Sequence, residues 1–268
     1  MSAPDFKREF LKAWRLVSTP LRRLPDFLIA GAPKCGTSSL FDLITLHPEA
    51  RRGLRKEPTN FIRYPTSVLR SRMNQPLALG RFLCGDGSVE YFFHPDAPAN
   101  AAAIVPNAKL IFLLRDPVER AWSEYRMFVK SGHERADFTA SIQKAVQWLS
   151  NPDLQPLVES ASKNSFNPLR YVRCGMYAQI LAAWKKSFSK NKMLVLFAED
   201  FFSSPSETAK QVYSFLGLRP HVSDSWPHAR DGDSKEPPPR EASQILREFY
   251  RPHNEHLSQI LGKPVPWD

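Results

Sequence analysis

Apolar residues gather along this chain in short unbroken runs, separated by stretches with helical spacing, and the succession predicts most of the elements. Residues 27–30, Phe-Leu-Ile-Ala, read as an apolar strand that runs into a tight turn and opens a helix over about 37–46. Residues 109–114, Lys-Leu-Ile-Phe-Leu-Leu, read as a buried parallel strand, broken by Arg115-Asp116-Pro117 ahead of a helix over 118–129. A third run, 193–197, follows a helix through Leu181 and Trp184 and precedes a helix over 206–216 that ends at Gly217, a good C-cap residue. A short strand near Val89 and a last helix through Phe249 and Tyr250 to Leu261 complete the pattern. Strands alternating with helices imply a single α/β domain whose central parallel sheet, joined by right-handed crossovers, is flanked by helices.

Two stretches depart from this alternation. Residues 131 to about 173 hold one helix, over 138–149, among connections punctuated by Pro and Asn, and their placement makes them a candidate wall of a binding cleft. Within the first 25 residues, Phe6, Phe10, Trp14 and Val17 recur at roughly helical spacing between Lys7, Arg8, Lys12 and Arg15, giving an amphipathic basic segment (1–25) ahead of the domain proper (26–268). Docking of its apolar face on the domain is the expected role, and attachment to a membrane surface, a peripheral contact, is the alternative. It lacks the long apolar run of a secretory signal.

Composition adds a partner. The 268 residues, 42% hydrophobic and 24% charged, are ordinary for a globular chain able to bury one sizeable core. No apolar run approaches the roughly 20 residues needed to span a bilayer. Lys and Arg number 37 against 27 Asp and Glu. The excess is concentrated in residues 51–72, where Arg51, Arg52, Arg55, Lys56, Arg63, Arg70 and Arg72 face Glu57 alone. An anionic partner is expected, either a phosphorylated nucleotide or an acidic polysaccharide. No helix-turn-helix, zinc-finger or RNA-recognition signature points to nucleic acid. Cys35, Cys84 and Cys174 leave at least one thiol unpaired and lack zinc-site spacing, which favours a reducing, cytoplasmic setting.

The chemistry concentrates in the turn after the first strand, Gly31-Ala32-Pro33-Lys34-Cys35-Gly36-Thr37-Ser38-Ser39-Leu40. Unpartnered N–H groups at a helix N-terminus sit at the positive end of the peptide dipole, so an anion is stabilised there. Lys34 adds a full charge, and the hydroxyls of Thr37, Ser38 and Ser39 add donors. In an ATP or GTP loop the lysine directly follows the second glycine, whereas Lys34 precedes Gly36 by two residues, which argues against a metal-assisted nucleotide kinase. The spacing instead resembles the 5′-phosphosulfate loop of the sulfotransferases. That resemblance implies 3′-phosphoadenosine 5′-phosphosulfate (PAPS) as sulfuryl donor, adenosine 3′,5′-bisphosphate (PAP) as product and no metal. It makes the loop a P-loop-like site in which Lys34, Gly36, Thr37, Ser38 and Ser39 bind the donor, with Lys34 neutralising charge on the leaving oxygen. Cys35 then serves steric fit beside the donor rather than reactivity.

Further motifs extend the resemblance over about residues 26–261. Arg115 at a strand end and Ser123 eight residues later are similar to the family's grip on the 3′-phosphate. Arg55-Lys56-Glu57-Pro58-Thr59-Asn60-Phe61 resembles the K-E-P-x-x-F segment of heparan-sulfate and related carbohydrate sulfotransferases, which implies Glu57 as catalytic base and a hydroxyl or amine acceptor on a carbohydrate, acidic or polyhydroxylated. An acceptor hydroxyl is a poor nucleophile until its proton is removed, so some base is required. His94 is the rival, similar to the histidine base of enzymes acting on small phenols and steroids, though it precedes Pro95 at an expected helix start. The successions G-x-Y-x-x-x-L-x-x-W, V-L-x-x-E-D and F-L-G-L also fit. Lys235 and Arg240, in a polar Pro-rich loop over 228–240, are the candidate equivalents of the basic residues that, by the resemblance, cover the 3′-phosphate and adenine. The resemblance leaves two settings open, a cytoplasmic enzyme or the soluble catalytic domain of a Golgi enzyme. The rival class is a nucleotide- or polyanion-binding module without turnover.

Overall fold

The computed structural model describes residues 13–62, 67–151, 168–223 and 236–267. In chain order, β1 (Phe27–Gly31) leads to α1 (Thr37–Leu46), β2 (Ala50–Arg51), α2 (Val68–Met73), β3 (Leu83–Asp86), α3 (Ala97–Ile104), β4 (Lys109–Leu114) and α4 (Pro117–Lys130). Then come α5 (Phe138–Ser150), α6 (Pro168–Arg173), α7 (Tyr177–Lys185), β5 (Met193–Phe197), α8 (Ala198–Ser203), α9 (Pro205–Leu216) and α10 (Arg240–Leu261). The five strands form one sheet in the order β2-β3-β1-β4-β5, every neighbouring pair parallel.

The expected α/β architecture is therefore present, with two differences at its edge. The strand anticipated near Val89 lies earlier, at Leu83–Asp86, and Val89–Tyr91 is a 3₁₀ turn. The Asp86 carboxylate causes the break: it accepts the Ser88 N–H at 3.0 Å and the Ser88 hydroxyl at 2.5 Å, which turns the chain out of the sheet. β2 falls in what reads as basic loop, because two residues carry no periodic signal; pairing with Leu83 and Cys84 makes it a strand.

All five residues of β1, and β4 beyond Lys109, are buried, as expected for central strands covered on both faces. Around them Leu40, Phe41, Phe112, Trp184, Phe201 and Tyr213 close the main core. Each such large side chain contributes roughly 1.5–3 kcal/mol on burial. The interrupting stretch forms a second core, in which Phe138 and Ile142 of α5 and Leu169 and Tyr171 of α6 pack with Val118 and Phe128 of α4 and Leu246 and Tyr250 of α10. It is thereby fixed to the helix that follows β4. The N-terminal segment lies outside the described residues up to residue 12, and beyond it Trp14 and Val17 are 49% and 76% exposed.

β1 has β3 on one side and β4 on the other, so the connections leaving β1 and β4 part at the carboxyl end of the sheet. Open α/β sheets bind ligands in the crevice at such a reversal.

Candidate active site

The turn between β1 and α1 is shaped by what it cannot carry. Gly31 has φ 146°, and a Cβ there would lie 2.4 Å from the Phe92 ring. Gly36, at the N-cap of α1, has φ 90°, and a Cβ there would meet the Phe202 ring at 2.6 Å. Both positions require glycine. Ala32 N–H donates to the Leu113 carbonyl at 2.8 Å, tying the turn to β4. No side chain caps α1 and no acidic residue stands in its first turn, so the helix itself brings no carboxylate to its positive end. Thr37 and Ser39 are buried and Ser38 is half-buried. Cys35 is buried against the Pro33 carbonyl, and burial pushes its thiol up to about 12, leaving it a packing residue.

The segment bearing Glu57 comes from the other side of β1. Gly87 N–H donates to the Lys56 carbonyl at 3.0 Å and Thr59 N–H donates to the Ser88 hydroxyl at 3.0 Å, which docks residues 56–59 on the end of β3. There the Lys56 ammonium donates to the Ser38 hydroxyl and, at 3.0 Å, to Glu57 Oε1. Beneath lies Asp86, wholly buried, accepting from Ser88 and, at 2.7 Å, from the Tyr91 hydroxyl. Burial raises its carboxyl to about 7 against the opposing pull of these hydrogen bonds, and the charge of Glu57 adds to the rise.

On the far side, Arg115 ends β4 and its carbonyl accepts the Tyr177 hydroxyl at 2.7 Å. Its guanidinium, about a third exposed, lies 3.4 Å from Glu119. Asp116 caps α4, accepting from Val118 N–H at 2.8 Å and Glu119 N–H at 3.4 Å, and its own N–H donates to Glu199 at 2.9 Å. Ser123 is half-buried in the second turn of α4. Arg240 opens α10 and lines a shallow groove with Glu119, Pro237 and Arg247. The Trp122 indole donates to the Glu236 carbonyl at 2.8 Å, fixing the approach to α10 against α4. Lys235 lies outside the described residues. Lys34 sits between the halves with φ 67°, its ammonium 3.6 Å from Met127 Sδ on α4. His94 Nδ1 accepts Asp96 N–H at 3.3 Å, beside the start of α3.

A buried charge relay ties the cleft wall to this site. Arg120 and Glu124 of α4 pair at 2.7 Å, Glu124 pairs with Arg170 of α6 at 2.7 Å, and Arg170 grips Glu90 with two bonds of 3.0 and 2.9 Å. Burial alone would raise the Glu124 carboxyl, but the two guanidinium groups outweigh it and hold the group below the usual carboxylate range. This relay, like Asp86 and Ser88, escapes a reading by motif because its members are far apart in sequence; Lys56 lies within the K-E-P-x-x-F segment, but among so many basic residues its charge reads as part of a polyanion surface.

A parallel sheet with an uncapped helix end at its reversal, flanked by lysines, an arginine and a carboxylate, is a site suited to a phosphorylated ligand. The sulfotransferase domain model matches residues 24–257, and the chain belongs to that family, whose sulfuryl donor is PAPS. It is 29% identical over 303 residues to mouse (Mus musculus) carbohydrate sulfotransferase 15, covering 90% of this chain and 54% of the relative. It is 30% identical over 275 residues to human (Homo sapiens) heparan sulfate glucosamine 3-O-sulfotransferase 6, covering 92% of this chain and 74% of the relative. The chain thus spans about half the length of the carbohydrate sulfotransferase 15 proteins it matches. Among solved structures, a sulfotransferase from Alicyclobacillus acidocaldarius shares the fold with a TM-score of 0.72 and 24% identity, covering 91% of this chain and 98% of the other. Among the described residues no helix is long and apolar enough to cross a membrane.

Proposed function

We propose that this protein transfers the sulfuryl group of PAPS to a hydroxyl of a carbohydrate acceptor, with Glu57 as the base. The observation that carries the reading is the chain of contacts from Ser38 in the phosphate-binding turn through Lys56 to Glu57, which sets a carboxylate beside the turn suited to the donor's 5′-phosphosulfate. The donor supplies a sulfuryl sulfur bonded to a phosphate oxygen. The amides of Gly36, Thr37, Ser38 and Ser39 hold that end, and Lys34 neutralises the charge that grows on the phosphate oxygen as it takes the electron pair of the breaking S–O bond. Glu57 removes the acceptor's proton as the new S–O bond forms in line. Arg115, Ser123 and Arg240 hold the 3′-phosphate side. His94 is the weaker candidate, since its Nδ1 is engaged by Asp96 N–H.

The names of the relatives and the exposed Arg55, two residues before Glu57, support an acidic polysaccharide acceptor. Part of the basic stretch is structural: Arg52 pairs with Asp42 at 2.8 Å, and Arg72 donates to the Pro20 carbonyl. Three free, buried cysteines support a cytoplasmic setting. The exposed Trp14, Leu16 and Val17 beside Arg15 leave peripheral membrane contact as a role for the N-terminal segment.

The test is a screen with labelled donor against sulfated and unsulfated oligosaccharides, phenols and lipid alcohols. Transfer to an oligosaccharide, lost in Glu57→Gln and kept in His94→Ala, is the expected outcome. Transfer to phenols alone, lost in His94→Ala, overturns the carbohydrate reading. PAP binding with no transfer at all would make the protein a binding module.

A further inference from the structure

We infer that Lys56 is a second catalytic lysine of this site, reaching the donor from the acceptor side while Lys34 reaches it from the opposite side. The inference rests on the sulfotransferase reading above and adds a residue to it. Three observations carry it. The Lys56 ammonium donates at once to the Ser38 hydroxyl, in the first turn of α1, and to Glu57 Oε1. It is therefore the cation that spans the gap between the phosphate-binding turn and the candidate base, whereas Lys34 Nζ contacts Met127 on α4. Its backbone is held rather than loose, since the Lys56 carbonyl accepts Gly87 N–H at 3.0 Å. Its stem also lies along the end of β3: a Cβ at Gly87 would be in ordinary van der Waals contact with Lys56 Cε, at 3.7 Å.

The chemistry gives such a cation a task. During displacement one S–O bond breaks toward the nucleotide and another forms toward the acceptor, and the sulfuryl oxygens between them carry negative charge throughout. The Lys56 side chain is 31% exposed, and an ammonium on a partly buried side chain stabilises that charge more strongly than a fully hydrated one. The contact with Glu57 has a second effect: it holds the carboxylate toward Ser38, so base and donor turn are in register before the acceptor enters. An ordinary surface ion pair of neighbouring residues would do neither and would add almost nothing to stability.

The experiment compares wild type, Lys56→Met and Lys56→Arg. Calorimetry with PAP reports the donor site without any turnover. Release of labelled sulfuryl from PAPS, to the best acceptor of the screen or to water where none is used, reports the chemical step. Lys56→Met is expected to lower kcat by about 10²–10³-fold, as removal of one preorganised donor does, while its Kd for PAP stays within about threefold of wild type. Lys56→Arg is expected to recover part of the rate, because it keeps the charge. A Lys56→Met kcat within about threefold of wild type overturns the inference, and so does a variant that loses PAP affinity with kcat unchanged at saturating donor. Wild type that fails to bind PAP overturns the sulfotransferase reading of the site, and the inference with it.

Discussion

The two strand-to-helix turns at the centre of the sheet are built from the same parts and finished in opposite ways. Between β1 and α1 a glycine stands at the N-cap, no side chain caps the helix, and the first turn carries hydroxyls. Between β4 and α4 the N-cap is Asp116, whose carboxylate occupies the helix end, and Glu199 accepts the next free N–H. The first end is open to an anion; the second is already neutralised by one. An anion on the β4 side would have to be held by side chains, as the proposed role of Arg115 requires, whereas on the β1 side the helix end itself is open to one. The difference divides the account into a half that performs chemistry and a half that grips the nucleotide.

That division predicts different failures from the two sides. The largest belongs to Glu57→Gln, which keeps shape and removes the proton acceptor: turnover falls roughly 10²–10⁴-fold with PAP binding retained, measured by labelled transfer and calorimetry. Loss of binding in place of turnover would move Glu57 to the gripping half. Lys34→Ala comes next. Because it acts on charge developing at the leaving oxygen, kcat should fall much further than PAP affinity, and a variant that loses affinity alone would make Lys34 a positioning group.

Asp86 sharpens the comparison from below, since it organises the end of β3 that carries Glu57. Its carboxyl is raised to about 7 in the folded protein, above the usual carboxylate range of the unfolded chain. Between about pH 4 and 7 the folded state keeps this proton and the unfolded state has lost it, so the group makes folding less stable as pH rises through that window, by up to roughly 1.4 kcal/mol per pH unit. Denaturant unfolding of wild type and Asp86→Asn should show the variant gaining on wild type across that window and running parallel to it above. A constant difference would mean the carboxylate is ionised throughout. The smallest effect belongs to Asp116→Ala, which uncaps α4 and should lower stability by about 1 kcal/mol. Stability unchanged in this variant would show that the two helix ends are not finished differently in energetic terms.

Much of the fold is legible in the sequence, and the reason differs by element. The runs at 27–31 and 109–114 sit in the middle of the sheet, where burial on both faces writes itself as continuous apolar sequence, and the run at 193–197, though an edge strand half-buried over its first three residues, is apolar throughout. Gly36 and Lys34 read as an anion-binding turn because few other needs place them there, and the structure shows the glycine at the uncapped start of α1. The end of β3 was misread at Val89, since Asp86 breaks the strand through its side chain and no periodicity records that. Lys56 is legible as part of the K-E-P-x-x-F segment, but only the fold shows that this one of several clustered cations touches Ser38. The Glu90–Arg170–Glu124–Arg120 relay joins residues up to 80 positions apart, beyond the reach of local spacing.

The division between the two turns is tested most directly by calorimetry of wild type and Arg115→Ala with PAP and with adenosine 5′-monophosphate, which lacks only the 3′-phosphate. Wild type should bind PAP far more tightly, each lost charge-assisted hydrogen bond costing roughly 1.5–3 kcal/mol. In Arg115→Ala the preference for PAP should largely disappear while affinity for the monophosphate, held by the open end of α1, stays near that of wild type. Equal affinities of the two nucleotides for wild type would contradict the account.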